Sequence, residues 1–151
     1  MSQTTWSGPL ASGDVNAGEP GGPNIGFVVL SQTALVNFVA GELVQDAAFN
    51  IPANSELVDF YVDVLTAYDS ATSALLSAGT TSGGTEYLSA INVKVLGRRP
   101  NAFSSAQITA MADVGADTAV VATVTSIGTA GQPTTGQVRV TLLYVQRTAN
   151  D

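Results

Sequence analysis

The sequence predicts an all-β domain, a β-sandwich of jelly-roll type carrying an extended N-terminal arm. Three observations support this. Residues 57–65, 118–127 and 137–147 are rich in Val, Thr, Leu and Tyr and alternate or nearly alternate in polarity. The segments between them are built from Gly, Pro, Ser, Thr and Asn. About eight strand-like segments follow one another without a fixed-period repeat, which suits a sandwich or jelly roll.

Residues 51–79 form the organising stretch, IPANSELVDFYVDVLTAYDSATSALLSAG, which reads as a turn, a long strand, a polar loop and a second strand. Val58, Phe60, Val62 and Val64 share one parity and are expected to face inward. Leu57, Asp59, Tyr61, Asp63 and Leu65 share the other. A helical stripe through Leu57, Val58, Tyr61, Val62 and Leu65 is the competing pattern. The Val, Phe, Tyr and Thr content decides for a strand, and neither Asn54 nor Ser55 opens a capping box.

Residues 1–24 hold Pro9, Pro20, Pro23 and several glycines, with only Trp6, Leu10 and Val15 as larger apolar groups. Such a segment cannot bury enough surface to fold alone, so the chain divides into an arm, 1–24, and a sandwich domain, 25–151. Two readings of the arm stay open: a loose terminus, or an arm that docks Trp6 and Leu10 onto a neighbouring subunit. Residues 25–39 supply one or two strands and residues 43–50 another, separated at Gly41.

Residues 66–73 read as a polar excursion and 74–78 as a short strand. Gly79 to Gly84, GTTSGG, lacks the Lys-Ser/Thr that must follow the last Gly of a P-loop, so it reads as a flexible hairpin tip. Residues 86–96 suggest a mixture of helical turn and strand with Ile91, Val93 and Val95 inward, ended by Gly97. Arg98 and Arg99 precede Pro100, which demands extended or turned backbone. They form either a solvated turn or an anchor for carboxylates across a subunit boundary. Residues 105–114 are ambiguous. In the last strand Val138, Val140, Leu142 and Tyr144 share a face. Arg139, Thr141, Leu143, Val145 and Arg147 lie opposite, and Leu143 and Val145 between those charges make the face apolar enough to expect partial cover by another chain.

Composition narrows the function. Hydrophobic residues are 45% and charged residues 11% of the chain, with net charge −7 and five basic residues. Binding to a nucleic-acid backbone or an anionic membrane is not expected, because both require clustered Lys and Arg. No apolar run reaches the roughly 18–20 residues that span a bilayer, and MSQTTWSGPL has neither the basic start nor the apolar stretch of a secretion signal, so export by that route is not expected.

With no His and no Cys, Ser-His-Asp and Cys-His catalysis and imidazole or thiolate zinc sites are ruled out. Asp59 and Asp63 would lie about 13 Å apart on one strand at a rise of roughly 3.3 Å per residue, too far for either glycosidase geometry. They either keep a strand face wet or meet an Arg of a partner. Asp113 and Asp117 flank a turn that they could cap, with weak cation binding as the alternative. No catalytic residue, cofactor site or metal site is assigned.

The stretch IPA…VDVLTAYDSATSALLSAGT followed by GGTEYLSAINVKVLGR, residues 51–98, resembles a family of tailed-bacteriophage head decoration proteins, whose pattern runs LPA…VDV.TAF.SATS..LS.GT and then Y…DV…GR. Lys94, Val95, Gly97 and Arg98 fall in the second part, and Tyr68 stands where the pattern usually has Phe. The resemblance implies a β-sandwich on the outer surface of an icosahedral head. It would bind the major capsid protein, commonly as a homotrimer at local three-fold sites, and staple capsomers against the pressure of packaged DNA. Trp6, Leu10, Arg98, Arg99, Arg139, Leu143 and Val145 are the candidate interface residues. A receptor- or glycan-binding head-fibre or tail domain is the alternative, and a carboxylate-based hydrolase is a third.

Overall fold

The computed structural model describes residues 28–128 and 133–146. The elements are β1 (Val29–Asn37), β2 (Val44–Ile51), β3 (Ser55–Thr66), β4 (Ser73–Gly79), β5 (Leu88–Asn92), β6 (Gly97–Arg99), α1 (Ser105–Met111), β7 (Thr118–Ile127) and β8 (Gln137–Gln146). The proposed arm, with Trp6 and Leu10, lies outside the described residues.

The pairing follows one rule. β1 pairs with β8, β2 with β7, β3 with β6 and β4 with β5, all antiparallel, as in a long hairpin whose two legs zip along their length. The ribbon then rolls up, and β3 joins β8 while β4 joins β7. Two four-stranded sheets result, β1-β8-β3-β6 and β2-β7-β4-β5, which is the jelly-roll order. The expected fold class is therefore found.

Val36, Phe60, Val62, Val138, Val140 and Leu142 from the first sheet meet Leu76, Val120 and Val124 from the second in one buried core. The alternation read from β8 holds: Val138, Val140, Leu142 and Tyr144 are buried. In β3 it fails at one point. Val58 was expected inside but is 44% exposed, while Leu57 is 3% exposed. A bulge between Leu57 and Asp59 inserts one residue against β8, so Leu57 and Phe60 both point inward and Val58 is turned out. β5 uses the same device, with Ala90 at φ 58 and Leu88 and Ile91 both buried.

Three further expectations need correction. Val95 is 49% exposed, because β5 ends at Asn92 and the chain leaves the sheet before reaching it. Gly97 starts a strand, since residues 97–99 add to the free edge of β3. The Gly79–Gly84 tip is tied down: the Gly83 amide donates to Thr123 Oγ1 (2.8 Å), whose hydroxyl donates to Asp46 (2.6 Å).

Residues 105–111 are helical because Ser104 and Gln107 form a reciprocal capping box, with Gln107 and Met111 as the buried face.

Tyr68, in the polar excursion, is a core residue. Its ring packs on Gly136, where an added Cβ would lie 2.6 Å from ring carbons. Its hydroxyl donates to Val36 O at 3.4 Å, and burial pushes its pKa up to about 12. The Gly136→Ala variant is expected to lose about 1–3 kcal/mol of stability through overpacking, read from the urea midpoint. An unchanged midpoint would show that the ring has room to move.

Candidate protein-docking face

The outer face of the sheet β1-β8-β3-β6 is arranged in cross-strand rows set by register. One row holds Val29, Val145 and Glu56; the next holds Ser31, Leu143 and Asp59; the next holds Thr33, Thr141 and Tyr61. The fourth holds Leu35, Arg139, Asp63 and Arg98, and it carries the charge. Residues directly opposite in such rows share a face, so the register alone gathers these side chains.

Asp63 is the hub. Arg98 grips its carboxylate as a fork, Nε to Oδ1 at 2.7 Å and Nη2 to Oδ2 at 3.1 Å. Arg139 reaches Oδ2 from the opposite neighbour, through Nη2 at 2.9 Å and Nε at 3.3 Å. The Asp63 side chain is 11% exposed between the Arg98 and Arg139 side chains, which are 60% and 46% exposed. Arg98 also stacks over the Tyr61 ring, its Cζ 4.7 Å from the centroid. The Arg98 and Arg139 hydrogen bonds hold the Asp63 carboxyl down at about 2. A carboxylate so held stays ionised near neutrality and serves poorly as a general acid or base. Two cations share one anion here, which leaves the row with one unbalanced positive charge and with two arginine side chains about half exposed.

Four of the five candidate interface residues within the described region thus meet on one face: Arg98, Arg139, Leu143 and Val145. Arg99 does not join them. It pairs with the core residue Val62 and so stands on the inner side of the sheet edge, its Nε buried with no hydrogen-bond partner. Arg98, expected with Arg99 either in a solvated turn or as an anchor for carboxylates across a subunit boundary, holds a carboxylate of its own chain, and so does Arg139. Val58, Leu35 and Tyr61 were not among the candidates, yet they add exposed apolar surface to the face.

Asp59 accepts from the Phe60 amide at 2.7 Å and from Asn101 at 3.1 Å. Asp113 accepts from Gly115 N and caps the turn it flanks, whereas Asp117 accepts from Ala53 N in the turn between β2 and β3. The hollow lined by Thr85, Glu86, Ser89 and Gln107 has its amide satisfied internally, because Gln107 donates to Thr85 O and Ser89 Oγ. Among the described residues no group of three or more acidic side chains gathers around a common point where a metal ion could be held.

The Asp63 cluster makes stability pH-dependent with a defined sign. Because the folded pKa of about 2 lies below the ordinary 3.8, the contribution is complete above about 4 and is lost as pH falls toward about 2. Asp63→Asn is expected to cost about 1–2 kcal/mol at pH 7, the full shift being discounted for half-exposed partners. The gap from the parent chain should close in acid denaturation series approaching pH 2; a gap that persists there would assign the cost to packing. No family model, curated protein or solved structure matches this chain.

Proposed function

We propose that this chain is a non-enzymatic virion structural protein that binds the outer surface of an icosahedral phage head, contacts the major capsid protein and reinforces capsomer contacts, acting as a homotrimer. The observation that carries the reading is the convergence of Arg98, Arg139, Leu143 and Val145 on one exposed sheet face, with a pre-oriented guanidinium pair set among apolar side chains. Apolar surface interrupted by fixed, partly paired Arg groups is the composition of protein interfaces, where Arg and aromatic residues are enriched and Lys is depleted.

The resemblance of residues 51–98 to head decoration proteins supports the same assignment, and the net charge of −7 suits a subunit kept outside a DNA-filled shell. A stiff jelly roll presents such a face without reorganisation, which lowers the entropic cost of docking.

Mixing the protein with empty expanded phage heads and measuring retained stoichiometry tests the reading. Leu143→Glu is expected to lower retention about tenfold or more, equivalent to about 1.4 kcal/mol, and Leu75→Glu on the opposite sheet to leave it unchanged. Absence of binding to any head lattice would overturn the assignment, and loss with Leu75→Glu alone would move the contact to the other sheet.

A further inference from the structure

Four strands lie at the edges of the two sheets, β1 and β6 in one and β2 and β5 in the other. A sheet edge carries unpaired backbone N–H and C=O groups and accepts another strand unless it is short, bulged, charged or broken by Pro. Three of these edges are guarded. β6 has three residues, two of them Arg, and runs into Pro100. β5 has five residues, with Ala90 in the left-handed region and an irregular register against β4. β2 carries Asp46, and its Asn50 carbonyl already accepts from Gln32 Nε2 at 2.8 Å. β1 has none of these devices: its nine residues, VLSQTALVN, keep unbroken register with β8 and include no charge, Pro or Gly.

One hydrogen bond fixes which backbone groups of β1 face the open side. The Phe38 amide donates to Gly136 O at 2.9 Å, and 38 and 136 continue the β1–β8 register. In an antiparallel ladder such bonded positions recur at every second residue. Leu30, Gln32, Ala34 and Val36 therefore spend their backbone groups on β8, while Val29, Ser31, Thr33 and Leu35 aim theirs at the free edge. β1 pairs with no other strand, and among the described residues no backbone bond from another element reaches those four. Apolar side chains are uncovered along the same strand: Val28, Val29, Leu30 and Leu35 are all exposed.

The sequence of this edge matches itself. Residues 28–36 read VVLSQTALV, three apolar, three from Ser31 to Thr33 polar, and three apolar, symmetric about Gln32. Set antiparallel to a second copy about that centre, Val29 lies opposite Leu35, Ser31 opposite Thr33, and Leu30 opposite Ala34. This register sets odd positions against odd ones, so the free backbone groups meet in about eight hydrogen bonds. One patch serving both partners is what a two-fold axis requires. The edge is about 30 Å long. Pairing along it buries about 1,000 Å² in total, at the lower limit for specific interfaces, which suits a weak and reversible contact.

We infer that β1 pairs with β1 of a second copy of this chain, so that the two β1-β8-β3-β6 sheets join into one of eight strands. Residues opposite each other in a ladder share a face, so the two Arg98–Arg139 faces then lie on the same side of the joined sheet. The inference goes beyond the proposed function and does not rest on it. On a shell, a two-fold contact at this edge would join neighbouring trimers of the proposed assembly.

The chain has no cysteine, so single introduced thiols in the full-length protein report the register. Mixed and oxidised, Val29→Cys and Leu35→Cys proteins are expected to form a mixed disulfide dimer about tenfold faster than either does alone, because Val29 and its own copy lie about 20 Å apart in this register. Ser31→Pro, added to both proteins, removes an edge N–H that β8 does not use. It is expected to slow the mixed cross-link about ten- to thirtyfold, through the hydrogen bonds its two copies remove, while leaving the urea midpoint nearly unchanged. Ser31→Lys, which keeps the N–H and charges the edge, is expected to act in the same direction should the Pro variant fail to fold. Leu75→Glu, on the outer face of the other sheet, is expected to change nothing. Equal rates for the mixed and single-variant samples, or a cross-link that both Ser31 variants leave unslowed, would overturn the inference. These rates are measured without heads, so their failure is distinguishable from a failure of head retention.

Discussion

One carboxylate held by two guanidinium groups binds the outer face of this jelly roll together. Asp63 lies on the central strand β3, Arg98 on the edge strand β6 and Arg139 on β8, so the cluster crosses three of the four strands of its sheet. β6 is only three residues long, and three ladder positions hold a short edge strand weakly. The Asp63–Arg98 fork adds a side-chain clamp at the middle of those positions, beside the backbone pairing. The same clamp fixes the directions of both arginines, which is what turns two flexible cations into a surface with a shape.

The core supplies the opposite requirement. Two sheets packed face to face must interlock apolar side chains along every strand, and where strict alternation fell out of step the chain inserted a residue. The bulges at Val58 and Ala90 let pairs of inward residues sit three apart, with the surplus side chain sent out. At Val58 that surplus is apolar and lands on the face that holds the Asp63 cluster. Core repair and surface composition are therefore coupled in β3.

Much of this was legible in the residues. β7 and β8 announce themselves as Val- and Thr-rich, nearly alternating runs joined by a Gly- and Pro-rich loop, and β8 buries the residues that its parity selects. The helix was readable in principle: Ser104 and Gln107 stand at capping-box spacing, but the Ala-rich window after them lacks a clear apolar stripe. The bulge at Val58 was not readable, because a bulge is defined against a partner strand. The strand at Gly97–Arg99 was hidden by its neighbours, since Gly97 and Pro100 both signal a turn. The cluster itself could not be seen in advance, for Arg98 and Arg139 reach Asp63 only through the register of two different ladders. Their shared face with Leu143 and Val145 emerges from the roll of the ribbon.

On the proposed reading, the outer face of the β1-β8-β3-β6 sheet is covered by protein when the chain sits on a head and is therefore shielded there. Single cysteines introduced at Leu143 and, separately, at Leu75 report on the two outer faces, because the chain has no other thiol. Thiol modification rates on free and head-bound protein are the direct measurement. The account predicts strong protection of the Leu143→Cys site on bound heads and unchanged reactivity at Leu75→Cys; protection at Leu75→Cys with Leu143→Cys still reactive would contradict it.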